Sequence, residues 1–81
     1  MPKVGRMTAE ERRAAAFKKE IMALCKSSKY GSLRAVMDEV GESYISTIQL
    51  LDRGRIRAET LSAIFKAVEA DDKTILKLMR M

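Results

Sequence analysis

"AVMDEVGESYISTIQLLDRG", residues 35 to 54, carries apolar residues at helical spacing on both sides of a glycine. Val36, Met37 and Val40 share one face with Leu33 just upstream, so a helix of about two turns is predicted to end where Gly41 takes a left-handed conformation. Ser32 is its candidate N-cap. Beyond "ESY", Ile48 and Leu51 lie three apart and turn inward together with either Tyr44 or Ile45, and a second short helix is predicted to stop at Gly54.

The flanking sequence extends this helical reading in both directions. Upstream, "TAEE" places Thr8 at a candidate N-cap with Glu11 three residues on, the pattern of a capping box. Ala14, Phe17, Ile21 and Leu24 then form the buried stripe of a first helix, which "KSSKYGS" interrupts. Downstream, "RIRAETLSAIFKAVEA" predicts a helix with Leu61, Ile64, Phe65 and Val68 inward. "DDKTILKLMRM" predicts another, opened by an aspartate cap and striped by Ile75, Leu76 and Met79. Five helices with short connections describe a compact all-α domain over residues 8 to 81. Residues 1 to 7, with Lys3 and Arg6 and no periodicity, are expected to form a flexible basic N-terminal arm.

Composition limits what such a domain can do. An 81-residue chain has room for one small core, and 47% hydrophobic with 33% charged residues fits a folded domain. Sixteen basic residues against eleven acidic ones give a net charge of +5, which favours a polyanionic partner. The absence of histidine excludes Ser-His-Asp and Cys-His catalysis and any histidine-containing metal site. Cys25 is the only cysteine and lies in an apolar helical stretch, which excludes an internal disulfide and predicts a buried, inert thiol. The carboxylate pairs Glu10/Glu11 and Asp71/Asp72 fall where helix caps are expected, so no enzyme, metal or cofactor is predicted. "MPKVGRM" has no hydrophobic signal region and no apolar run is long enough to cross a bilayer, so a cytoplasmic protein is expected.

Taken together, "AVMDEVGESYISTIQLLDRG" followed by "ETLSAIFKAVEADDKTIL" resembles the Cro and lambda-repressor-like helix-turn-helix family over residues 32 to 77. Val36, Val40 and Gly41 stand at that family's second-helix positions. Ser46, Thr47, Ile48, Leu51, Asp52, Arg53 and Gly54 stand along its third helix. The resemblance implies a five-helix DNA-binding domain, a small phage-type or mobile-element transcriptional regulator acting as a repressor, with the helix near residues 44 to 53 in the major groove. With Ile48 and Leu51 inward, Ser46, Gln49, Leu50 and Arg53 form one outward stripe, and Tyr44 and Ile45 complete the base-facing set. Gln49 can pair with an adenine edge, Leu50 can meet a thymine methyl, and Ser46 can serve either kind of base. Ser32, Arg34, Thr47, Arg53, Arg55 and Arg57 are assigned to the DNA backbone, with Lys3 and Arg6 following a groove. For Ser32, capping is the competing role.

Two positions and one spacing depart from the family pattern. Leu33 stands where a phosphate-binding glutamine is usual, and Met37 stands where a small alanine is usual. The count from Gly41 to Ile48 is one residue longer than usual, which predicts an extended turn through "GESYI". The apolar edge formed by Tyr44, Ile45 and Leu50 supports an alternative use of the same scaffold, binding a protein as an antirepressor, antitoxin or anti-CRISPR-type inhibitor. A basic amphipathic membrane binder is a weaker reading, because the apolar stripes are needed to fill the core. If DNA is the partner, one recognition helix reads too few base pairs, so a homodimer is expected, with Ile75, Leu78, Met79 and Met81 as its candidate interface.

Overall fold

The computed structural model describes residues 8 to 80 and places them in five α-helices, with no strand among those residues. Lys3 and Arg6 of the expected arm, and Met81 of the expected dimer surface, lie outside the described residues. Helix α1 (Ala9–Lys26) begins because Thr8 and Glu11 satisfy each other's free amides, the Glu11 amide donating to the Thr8 hydroxyl at 3.1 Å and the Thr8 amide to the Glu11 carboxylate at 2.9 Å. Ile21 and Cys25 are its fully buried residues, with Phe17 and Leu24 packed beside them.

Helix α2 (Leu33–Val40) is capped by the Ser32 hydroxyl, which accepts from the Ala35 amide at 3.2 Å. Leu33, Val36 and Met37 are buried, as the stripe predicts. Gly41 ends the helix at φ +86°, and the Glu42 amide reaches back five residues to the Met37 carbonyl. Helix α3 (Tyr44–Asp52) follows at once, with Ser43 as N-cap. The connection is therefore only Gly41, Glu42 and Ser43, shorter than the extended turn expected from "GESYI": the Ser43 cap lets Tyr44 and Ile45 enter the helix.

Helices α4 (Ala58–Ala67) and α5 (Asp72–Met79) complete the fold. Leu61, Ile64 and Phe65 are buried and Val68 packs against them. Helix α1 packs on α2 and α3, α2 also packs on α3, and α4 covers α2. Of the expected stripe Ile75, Leu76 and Met79, only Ile75 packs inward; its partner on the core face is Leu78, and Leu76 and Met79 are 55% and 62% exposed. Both pairs have the same i, i+3 spacing, so the docking of α5 decides between them. Leu78 is 2% exposed and belongs to the core, and Ile75 is packed against it, so neither is a free dimer contact.

Candidate functional site

The arrangement of α3 follows from which of its residues the core takes up. Thr47 and Leu51 are buried and Tyr44 and Ile48 pack partly against the core, which fixes the helix's rotation about its axis. Ser46, Gln49 and Arg53 are consequently exposed on the opposite face. Ile45, 68% exposed, flanks that face on one side, and the half-buried Leu50 flanks it on the other. Between Tyr44 and Ile45, it is Tyr44 that turns inward.

Two expected contacts are thereby corrected. Thr47, expected at a phosphate, is only 2% exposed, because its position one turn before Leu51 faces the core. Tyr44, expected at a base edge, is drawn against the core at the first turn of α3.

The end of α3 is built for a sharp exit. Gly54 lies at φ +67°, and the Arg55 amide donates to the Leu50 carbonyl at 2.8 Å. A Cβ on Gly54 would stand 3.3 Å from the Ala14 Cβ, so the chain passes close to α1 here. Lys18 of α1 meets Asp52 of α3 at 2.7 Å, a second contact of this exit with α1. Arg53, Arg55 and Arg57 are all exposed along this exit, and Arg34 is exposed in the first turn of α2.

None of these arginines is neutralised within the described fold. The ion pairs among the described residues, Lys18 with Asp52, Lys29 with Glu69 and Lys77 with Glu20, all use lysine. Arg57 precedes α4 without a side-chain capping bond, so its guanidinium is not engaged in holding that helix. Asp38, Glu39 and Glu42 are exposed toward the end of α2 and in the turn. Exposed carboxylates also stand near these arginines, Asp52 just before Arg53 and Glu59 in the first turn of α4 after Arg57.

Two titratable groups, Cys25 and Asp71, are shifted by their surroundings in the fold. Burial pushes the Cys25 thiol up to about 11, which keeps it protonated and poorly nucleophilic. Hydrogen bonds from the Thr74 hydroxyl and amide hold the Asp71 carboxyl below its ordinary value, as suits an N-cap. Among the described residues, no group of three histidine, cysteine, aspartate or glutamate side chains is placed to hold a metal, and no helix is long and apolar enough to cross a membrane. Comparison with protein-family models, curated proteins and solved structures finds no match to this chain.

Proposed function

We propose that the protein is a sequence-specific DNA-binding regulator that lays α3 in the major groove. The observation that carries this reading is the outward face of α3, where Ser46, Gln49 and Arg53 lead directly into the exposed Arg55 and Arg57. A short helix, a three-residue turn containing glycine and a second short helix have the connection of a helix-turn-helix unit. Side chains on the second helix of such a unit reach base edges, while positive groups around it bind phosphate. Gln49 supplies the donor and acceptor that match adenine, and Ser46 supplies an adaptable hydroxyl. Arg34, Arg53, Arg55 and Arg57 supply affinity that weakens as salt rises.

One such helix covers few base pairs, so the functional unit in this reading is a two-fold dimer binding half-sites about one helical turn apart. Leu76 and Met79, exposed together on α5, are the surface proposed for its contact. A regulator of this kind acts in the cytoplasm, represses by occupying an operator, and fits a phage or mobile-element setting. The exposed Ile45 favours one alternative, a protein partner docking on the same helix.

Selection from a random duplex pool separates the two. The expected result is an enriched palindromic site bound well above scrambled duplex, with Gln49→Ala altering the preferred sequence. Arg55→Ala and Arg57→Ala are expected to weaken binding to every sequence and to reduce the salt slope by about one each. Weak binding that depends only on salt, with no enriched site, would exclude sequence reading and leave the protein-binding alternative.

A further inference from the structure

The second residue of α3 is an isoleucine left 68% exposed, while Tyr44 before it and Ile48 after it are drawn against the core. The Ser43 hydroxyl accepts from the Ser46 amide at 3.2 Å, so Ile45 sits in a capped first turn with a fixed direction. Helical spacing sets it one turn before Gln49 on the same ridge, about 6 Å along the axis. Asp52 lies on that edge two turns further on, where Lys18 neutralises it at 2.7 Å. The N-terminal part of the edge therefore presents hydrocarbon.

An aliphatic side chain neither donates nor accepts a hydrogen bond. In the major groove its matching feature is the methyl group on C5 of a pyrimidine, which thymine carries and unmodified cytosine lacks. Resting on the DNA-reading role argued above, we infer that Ile45 is a specificity-determining residue that recognises a 5-methylpyrimidine. The base lies within about two base-pair steps of the one read by Gln49, because 6 Å of helix spans about two steps of 3.4 Å. Leu50, to which the sequence gives this contact, is half-buried on the opposite edge and does not share the Ile45 ridge.

The test uses the full-length protein and its selected duplex, with each thymine replaced in turn by uracil, which lacks only the methyl group. At one thymine position near the Gln49 contact, binding is expected to weaken about fourfold, the effect of withdrawing one buried methyl group. With cytosine at that position, methylation on C5 is expected to strengthen binding by a similar factor. Ile45→Ala, checked for native helicity by circular dichroism, should lose sensitivity at that position alone. Native protein insensitive to every uracil replacement, or an Ile45→Ala variant that keeps the full effect, would overturn the assignment while leaving DNA reading intact. Failure to enrich any duplex would overturn the DNA-reading role itself and this contact with it.

Discussion

Lys18 on α1 and Asp52 on α3 meet at 2.7 Å across the junction of the two helices, with 29% and 54% of their side chains exposed. Exposed pairs of this kind contribute about 0.2–1 kcal/mol, so the contact does little for stability. Its larger effect is electrostatic, because Asp52 follows Gln49 by three residues and borders the outward face of α3. Lys18→Ala leaves that carboxylate uncompensated and, in the DNA-reading role proposed above, is expected to weaken binding to all duplexes, most at low salt, where screening is least. Asp52→Asn is expected to strengthen it, and the double variant to return near the native affinity. Urea unfolding should move each single variant by less than about 1 kcal/mol, and weaker binding by both would refute the electrostatic account.

Gly41 and Gly54 both have positive φ but differ in their surroundings. Nothing stands within 4 Å of a Cβ built on Gly41, whereas one on Gly54 would stand 3.3 Å from the Ala14 Cβ. Gly41→Ala is expected to cost the left-handed backbone term alone, about 1 kcal/mol. Gly54→Ala should cost more, because α1 must also give way. In a double-mutant cycle by denaturant unfolding, Ala14→Gly should recover part of the Gly54→Ala loss and none of the Gly41→Ala loss. Equal coupling at both glycines would disprove the close approach.

Glu69 lies at φ 54° at the end of α4, in the position glycine fills after α2 and α3. The Ala70 amide bonds to the Phe65 carbonyl at 3.0 Å, the same five-residue closure made by Glu42 and Arg55. Glu69 contributes only a 4.0 Å contact with an exposed Lys29, so little is lost with its side chain. Glu69→Gly is therefore expected to stabilise the protein by about 0.5–1 kcal/mol, the relieved left-handed strain less the added freedom of the unfolded chain. A lower midpoint in urea would contradict this.

These helix ends show how much of the molecule is legible in the sequence. Where a polar cap or a glycine marks the boundary, as at Thr8, Ser32, Gly41 and Gly54, local chemistry alone identifies it. The end of α4 has no such mark, because Glu69, whose side chain disfavours a positive φ, stands where glycine stands after α2 and α3. Periodicity likewise finds the stripes of α1, α2 and α4, where one face is plainly the more apolar. It cannot choose between Ile75 with Leu78 and Leu76 with Met79, since both pairs share one spacing and only contact with the rest of the fold separates them. On α3 the inward face is readable from Ile48 and Leu51, but Thr47 carries a polar label into a buried position. The Lys18–Asp52 contact spans 34 residues and has no local signal at all.

Cys25 is fully buried, and burial pushes its thiol up to about 11 from an ordinary value of 9.0. The folded state thus keeps a proton that the unfolded chain releases. This contribution to stability is fully present below about pH 9 and is lost as pH rises through 9 toward 11. Cys25→Ala should flatten that part of the alkaline stability profile in urea titrations. In the native protein at pH 8, reaction with a thiol reagent should proceed only as fast as the fold opens. Rapid stoichiometric labelling without unfolding would show that the thiol is accessible.

Leu78 and Met79 are adjacent on α5 but have opposite environments, 2% and 62% exposed. Leu78→Ala is expected to destabilise the monomer fold by about 2–5 kcal/mol, because the cavity opens inside a small core. Met79→Ala should change stability by less than about 0.5 kcal/mol, as exposed substitutions usually do. If Leu76 and Met79 form the dimer contact, Leu76→Asp combined with Met79→Asp should yield a folded monomer, because paired charges are expelled from an apolar interface. Sedimentation equilibrium measures the mass and circular dichroism checks the fold. A native protein that dimerises and keeps its dimer mass in the double variant would remove α5 from the interface, whereas a folded monomer with weaker operator binding would tie dimer formation to DNA reading.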